Sequence, residues 1–339
     1  MVSISEDCIS IGVELETILK VDTERCPHDP VSGFNVSDIK QQVREILAPI
    51  SEELARRYPE IPPYEVVVYR QPEYSWCPEN PEEEAKVEKE AEAHHTHHVQ
   101  NYFIVGLDPS IRPEKCDSHL EYGVEISTPA FTNGAWEKAI PVMMKCLHDS
   151  GRFKFNLTTG LHVHLGKGTK NAFSFEELSR IGKAICLFEK RISCLHPERD
   201  PAGPLGLFYY KFCTENSQLK DLSPKEMIEL IDGIGNLGES SEQNIMKIQR
   251  VMNYPGSDFV AQEANSEKEY TCNLGSNDKF GTIEFRQAGA TFDHERALNW
   301  IKTLTTFVLK ACRTSNAEFL RMAEEGVLER DCGDFGLSI

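Results

Sequence analysis

The chain has 339 residues with 54 acidic and 36 basic side chains, a formal net charge of −18. This acidity disfavours a nucleic-acid partner, because phosphate backbones are bound by clustered lysine and arginine. No apolar run approaches the length of a membrane span, the first ten residues lack the apolar core of a secretion signal, and the eleven scattered cysteines contain no C-x-x-C pair, so the composition predicts a cytoplasmic protein with no membrane partner.

Apolar residues in the first half of the chain recur at the spacings that are typical of strands and helices. The predicted elements, in chain order, are a strand at 9–19, a helix at 37–58, strands at 65–70, 101–105 and 123–127, a helix from Trp136 to Leu147, and a strand at 153–165 broken by a turn at 158–160. The stretch at 78–99 interrupts this pattern. It is acidic, has almost no large apolar residue and ends in four histidines between His94 and His98, so it is predicted to be a surface insertion with an incidental histidine cluster.

The second half adds helices and a strand pair. Ser174 and Ser223 each begin a capping box that opens a helix, and Asp293 is predicted to cap the last helix. A further helix is expected at 245–252, and strands at 270–274 and 281–287 are expected to be joined by a polar turn at 275–280. Strands and helices are mixed without strict βαβ alternation, which favours the α+β class.

Three stretches each place two polar, chemically competent side chains two residues apart, between apolar residues. This spacing puts both side chains on one face of a strand, while the apolar residues between them point into a core. The stretches are Gly12-Val13-Glu14-Leu15-Glu16, Gly160-Leu161-His162-Val163-His164-Leu165-Gly166 and Thr282-Ile283-Glu284-Phe285-Arg286-Gln287. They indicate a sheet with an apolar face packed on helices and an open face lined by carboxylates, imidazoles and a guanidinium.

Each stretch alone also fits an ordinary sheet. Two carboxylates two residues apart are more often a solvated strand face, and Glu284 beside Arg286 also fits a surface charge pair. Glu125, on the strand at 123–127, adds a further carboxylate with apolar neighbours. If the four strands share one surface, repulsion among these carboxylates would be destabilising unless cations lie between them. The joint pattern therefore predicts a metal site.

These motifs resemble, in order along most of the chain, those of the amidoligase family, a branch of the glutamine-synthetase-like carboxylate–amine ligases. The resemblance also takes in Asp108-Pro109-Ser110-Ile111 and Gly123-Val124-Glu125-Ile126-Ser127-Thr128-Pro129. It implies a glutamine-synthetase-like antiparallel sheet, with helices packed on one face and an open catalytic face. The whole chain, 1–339, is then expected to be a single catalytic domain.

The resemblance also implies ATP, two or three Mg²⁺ ions, for which Mn²⁺ can substitute, and an acyl-phosphate intermediate. The implied metal ligands are Glu14, Glu16, Glu125, His162 and Glu284. His164 would face the substrate or the phosphate, Arg286 would hold the γ-phosphate, and Asp108 is predicted to act as a catalytic acid–base residue. Glutamine synthetase has another acidic ligand seven residues before its counterpart of Glu125, where this chain has Ser118; Asp117 or Asp108 is the candidate to complete that metal site.

The predicted function is therefore an ATP-dependent ligase that forms an amide from a small-molecule or peptide carboxylate and an amine. A phosphotransferase on the same fold, a metal-dependent hydrolase that needs no ATP, and a binding module without turnover remain alternatives. The sequence contains no G-x-x-x-x-G-K-[ST] loop, so a nucleotide would have to bind through metals and arginine. The sequence identifies neither the two substrates nor the oligomeric state.

Overall fold

The computed structural model describes residues 9–21, 36–59, 61, 64–68, 102–108, 110–113, 121–168, 171–197, 213, 216–235, 239–253 and 270–337. The predicted insertion at 78–99 and its histidine cluster lie outside these residues, as do Asp117 and Ser118.

Strands and helices are mixed along the described chain, which confirms the α+β class. The strands are β1 (Ser10–Lys20), β2 (Glu65–Val68), β3 (Tyr102–Leu107), β4 (Glu121–Ser127), β5 (Phe153–Lys154), β6 (Gly160–Gly166), β7 (Cys272–Asn273) and β8 (Thr282–Gly289). The helices are α1 (Val36–Arg57), α2 (Trp136–Asp149), α3 (Phe175–Cys194), α4 (Pro224–Ile234), α5 (Ser241–Met252), α6 (Ser276–Phe280), α7 (His294–Arg313), α8 (Asn316–Glu325) and α9 (Glu329–Asp334).

The chain divides into two compact units. We call them the N-unit, made of Ile11–His162 and Gly289–Leu298, and the C-unit, made of Met1–Ser10, Val163–Ala288 and Asn299–Ile339. One boundary falls inside β6, between His162 and Val163, so this strand contributes residues to both units. Each unit is described by itself below.

The sheet of the N-unit places β1 in a central position. Its strands follow the hydrogen-bonded order β2-β3-β4-β1-β6, and β5 also pairs with β1. The pairs β3·β4, β4·β1 and β1·β5 are antiparallel, whereas β2 and β3 are parallel. Val13 and Leu15 on β1 and Val124 and Ile126 on β4 are buried, as the period-2 pattern predicts. Helix α1 packs against α2, β2 and β3.

The C-unit combines the order β6-β8-β7 with helices α3, α4, α5 and α8, which pack on one another. Its core contains a cluster of phenylalanine rings. The rings of Phe285 in β8 and Phe307 in α7 meet edge to face, with their centroids 6.3 Å apart. The ring centroids of Phe188 in α3 and Phe335 are 4.4 Å apart. Because Phe285 points into this core, its neighbours Glu284 and Arg286 point to the other face of β8.

Two local predictions differ from the structure. The segment at 275–280 is not a simple turn, because Ser276–Phe280 forms the short helix α6, which ends at Gly281 with φ of 68°. Helix α7 is not the last helix, since α8 and α9 follow it. Both capping boxes are present, at Ser174 and Ser223. None of the helices in the described ranges has the length and apolarity needed to cross a membrane.

Candidate active site

One buried and one half-buried carboxylate, those of Glu16 and Glu125, face each other across the β1·β4 pair in the N-unit. Glu16 lies directly opposite Glu125 in the antiparallel register, and its side chain is only 2% exposed. The hydroxyl of Ser127 donates to Glu125 Oε1 at 3.4 Å. Since the strands hold the two acids opposite each other, their charges repel unless donors or cations lie nearby.

Asp108 joins this pair at the end of β3. Its Oδ1 accepts a hydrogen bond from the N–H of Ser110 at 2.8 Å, and its own N–H donates to the carbonyl of Gly123 at 3.0 Å. A Cβ on Gly123 would lie only 2.4 Å from the Asp108 carbonyl oxygen and 2.6 Å from Cβ of Ile111. Glycine at position 123 is thus what allows the turn after β3 to approach β4 this closely.

His162 lies between two glutamates of β1. Its Nδ1 is 3.4 Å from Glu14 Oε2 and its Nε2 is 3.4 Å from Glu16 Oε1. The imidazole is fully buried, whereas the Glu14 side chain is 22% exposed. The N-unit therefore brings together an acidic cluster, which comprises Glu14, Glu16, Asp108, Glu125 and His162.

The donor set of the acidic cluster fits a hard divalent cation. Oxygen or nitrogen atoms of two overlapping groups lie within 4.8 Å of one another; the groups are Glu14, Glu125 and His162, and Glu16, Asp108 and Glu125. The cluster's four carboxylates supply the oxygen ligands that Mg²⁺ and Mn²⁺ prefer, and the imidazole of His162 adds one nitrogen ligand. A cation here would also offset the repulsion between Glu16 and Glu125.

A second group lies on β6, β8 and the adjoining β7 and α6 of the C-unit. We call it the Glu284 cluster; it comprises His164, Asn273, Ser276, Thr282, Glu284 and Arg286. Glu284 is 3% exposed, and its two carboxylate oxygens have different partners. Oε1 accepts a hydrogen bond from the guanidinium of Arg286 and is 3.9 Å from Nε2 of His164. Oε2 accepts from Asn273 Nδ2 at 3.0 Å and from Ser276 Oγ at 3.3 Å. The carboxylate is therefore oriented by both charged and neutral donors.

His164 is oriented by the first residue of β8. Its Nδ1 is 3.1 Å from the Thr282 hydroxyl, which leaves Nε2 on the side of Glu284. Gly166, at the end of β6, makes room for this arrangement. A Cβ there would lie 2.6 Å from Ser10 Oγ and 3.2 Å from Cγ2 of Thr282.

The structure places all eight predicted metal-binding and catalytic residues in one of these two clusters, whereas Asp117, the alternative to Asp108, lies outside the described residues. The sequence-based reasoning missed Asn273, Ser276 and Thr282, which hold Glu284 and His164. One signal for Asn273 was available, since a polar residue stands in a short apolar segment that pairs with the Glu284 strand. Glu16, His162 and Glu284 are buried, whereas Glu14 and Glu125 are half-buried, and the open catalytic face stays a prediction.

Two other features of these units do not add to the site. Burial, together with the nearby carboxylate of Glu284, raises the pKa of the Cys272 thiol well above its usual range, so this cysteine is a neutral thiol and not a nucleophile. A cavity of about 500 Å³ in the N-unit lies between α1, α2 and the start of α7. Its charged side chains already pair along their own helices, for example Lys145 with Asp149.

Comparison with known proteins identifies one family. The profile of the family described as "Putative amidoligase enzyme" matches residues 8–308, which contain both clusters. No protein of curated function and no solved structure matches the chain.

Proposed function

The chain belongs to the amidoligase family, and on this premise we propose that it joins a carboxylate to an amine with consumption of ATP, through an acyl phosphate. The observation that carries the proposal is the acidic cluster, in which Glu16, Asp108 and Glu125 place carboxylate oxygens within 4.8 Å of one another. Such a group of acids suits the divalent cations that accompany ATP.

An amide cannot form directly from a carboxylate and an amine under physiological conditions, so the carboxylate must first be activated. A carboxylate does not condense with an amine in neutral water, because its oxygen is a poor leaving group and its charge repels a nucleophile. Transfer of the γ-phosphoryl group to a carboxylate oxygen converts that oxygen into part of a leaving phosphate. Attack of the amine on the acyl carbon then forms the C–N bond, breaks the C–O bond and releases phosphate.

In this proposal the metal ligands are Glu14, Glu16, Glu125, His162 and Glu284. Bound Mg²⁺ would supply neutralisation of the charge on the phosphates. The guanidinium of Arg286 would grip the γ-phosphate through two parallel hydrogen bonds, which its planar shape allows. His164, whose Nδ1 is held by Thr282, would present Nε2 to the phosphate or the substrate.

We further propose that Asp108 completes the carboxylate group, in place of the acid that is lacking at Ser118. Its position beside Glu16 and Glu125 supports this role. The alternative role is that of the base that removes a proton from the attacking amine. Asp108→Asn separates the two: loss of a ligand should weaken Mn²⁺ binding, whereas loss of a base should slow amide formation at unchanged Mn²⁺ affinity.

The acyl phosphate is tested with ¹⁸O-labelled carboxylates. The protein is incubated with ATP, Mg²⁺, a panel of labelled carboxylic acids and a panel of amines, and the products are analysed by mass spectrometry. One ¹⁸O should appear in inorganic phosphate, with ADP as the co-product. Label in AMP would indicate adenylation, and a labelled phosphorylated product that persists in the presence of amines would indicate a phosphotransferase.

Arg286→Lys provides the companion measurement. Lysine keeps the positive charge but loses the planar, two-pronged donor geometry, so the rate of phosphate release should fall by about 100-fold. The matched control is Arg250→Lys, because Arg250 is exposed on α5 of the same unit. Equal rates for the two variants would contradict the role assigned to Arg286.

A further inference from the structure

The side-chain amide of Asn273 is held in one orientation. Its Oδ1 accepts a hydrogen bond from the N–H of Gly275 at 2.8 Å, so its Nδ2 must face the other way. There Nδ2 donates to Glu284 Oε2 at 3.0 Å and to Ser276 Oγ at 3.2 Å. Exchanging the oxygen and nitrogen positions would set an amide oxygen against the carboxylate, so the hydrogen-bond network assigns the orientation.

The backbone on either side of Asn273 is held by two amide side chains, Gln249 in the last turn of α5 and Asn253 directly after it. Asn253 donates through Nδ2 to the carbonyl of Cys272 at 2.9 Å and accepts from the N–H of Leu274 at 3.0 Å. Gln249 donates to the carbonyl of Leu274 at 3.1 Å. Since β7 is only two residues long, these bonds on both sides of Asn273 fix its position in addition to the pairing with β8.

This arrangement gives the two oxygens of Glu284 different environments. Neutral donors from Asn273 and Ser276 reach Oε2, while Oε1 faces Arg286 and His164. We propose that Asn273 is a positioning residue that fixes the rotamer of Glu284, so that Oε1 is presented to the cation and phosphate. The inference rests on the proposed function, in which Glu284 is a metal ligand.

Asn273→Asp is the sharpest test, because it changes one donor group and almost no volume. An aspartate can still accept from Gly275, but its second oxygen would face Glu284 Oε2 as a like charge. Asn277→Asp is the matched control. Asn277 is a buried amide of α6 that accepts from the N–H of Phe173 at 2.8 Å and donates to its carbonyl at 3.2 Å, so the control also loses one buried amide donor.

Two readouts follow from the proposal. Mn²⁺ binding to the purified protein, measured from the electron paramagnetic resonance signal of free Mn²⁺, should weaken about tenfold in Asn273→Asp, and amide formation should fall by about 10–100-fold. Circular dichroism first establishes that both variants are folded. Asn277→Asp should then stay within about twofold of the wild-type protein in both measurements. Equal losses in the two variants would overturn the inference.

A third readout does not depend on turnover or metal. Without metal, Asn273→Asp should lower the urea concentration at the midpoint of unfolding. Adding Glu284→Gln to that variant should recover most of the decrease, since the amide introduced at position 284 can donate to the carboxylate introduced at position 273. If the decreases in midpoint of the two single variants simply add in the double variant, the positioning role is overturned. If the unchanged protein neither binds Mn²⁺ nor forms an amide, the proposed function fails, and this double-substitution cycle still decides whether residue 273 orients residue 284.

Discussion

Glu16 illustrates at the scale of one residue how strand register determines chemistry. Directly opposite residues in an antiparallel pair have Cβ atoms about 4.5–5.5 Å apart, and the partner of Glu16 in this register is Glu125. On a wet surface, water and salt would screen the two charges. Because Glu16 is buried, this screening is weak, and we expect the two carboxylates to repel each other in the metal-free protein unless a cation lies between them.

We therefore expect Glu16→Gln to stabilise the metal-free protein while abolishing metal-dependent turnover. Glutamine keeps the shape of the side chain and removes one of the two facing charges. The free energy of unfolding in EDTA should rise by about 0.5–1 kcal/mol, as measured by urea denaturation at pH 8. Added Mg²⁺ should stabilise the unchanged protein more than the variant.

Glu121→Gln is the control for this prediction. Glu121 is also a largely buried acid of β4, but it pairs with Lys154 at 2.8 Å. Removing its charge deletes an attraction, so the free energy of unfolding should fall by up to about 1 kcal/mol. A decrease in both variants would show that Glu16 is not subject to net repulsion.

At the scale of elements, the sequence predicts what depends on local periodicity. Helices α3 and α4 follow from a capping box and an apolar face, and β1, β4 and β6 follow from alternation. Helix α6 could not be predicted in the same way, because its five residues are too few to show a helical period. The role of Asn273 could not be predicted either, because β7 has only two residues. The bonds from Gln249 to Leu274 and from Asn253 to Cys272 join residues 25 and 19 positions apart, which no local pattern reveals.

Lys183 joins three helices of the C-unit through one buried ammonium. Its side chain, on α3, is only 1% exposed and pairs with Asp232 of α4, and Nζ also donates to Asn316 of α8 at 2.9 Å. Burial lowers the pKa of Lys183 below its usual value, although Asp232 acts in the opposite direction. The charged form is thus held in place by its partners and penalised by desolvation.

Removing one partner should be more harmful than removing the charge. Asp232→Ala should lower the free energy of unfolding by about 2–3 kcal/mol at pH 7, because it leaves a buried ammonium, whereas Lys183→Met should change it by less than about 1 kcal/mol. Urea denaturation measures both, with Asp221→Ala as the exposed control. Equal effects of Asp232→Ala and Asp221→Ala would contradict this assignment.

The lowered pKa also predicts a pH dependence with a definite sign. Below the usual pKa of lysine, the unfolded chain binds the Lys183 proton more tightly than the folded protein does, so this group costs stability at neutral pH. The cost decreases as the pH rises toward 10.5. The unchanged protein should therefore gain stability relative to Lys183→Met as the pH rises from about 7 toward that value, as measured by urea denaturation.

At the scale of the whole molecule, the two-unit division could not be predicted from sequence. A domain boundary usually falls in a polar linker, but here one boundary lies inside β6, between His162 and Val163. The two histidines of a single apolar strand thus belong to different clusters, and the sequence-based prediction of one surface for all the motif residues stays a prediction. The family match covers the residues of both clusters.

The net charge of −18 leads to a prediction about nucleotide binding by the whole chain. An acidic protein repels the anionic triphosphate, and the sequence offers no phosphate loop whose N–H groups could hold it. ATP should therefore bind only together with a divalent cation. At an ATP concentration about 100 times its Kd with Mg²⁺ or Mn²⁺, binding adds about 2.7 kcal/mol, which for a chain of this length raises Tm by about 4 °C.

Differential scanning fluorimetry measures this shift with ATP alone, Mg²⁺ alone, both together, and ATP in excess EDTA. Only the combination should give the full increase. Glu284→Gln should lose most of it, whereas Asn277→Asp, which leaves both clusters intact, should keep it. An equal increase in Tm from ATP in excess EDTA would contradict a cation-dependent site, because the nucleotide would then be held by direct protein contacts without any cation.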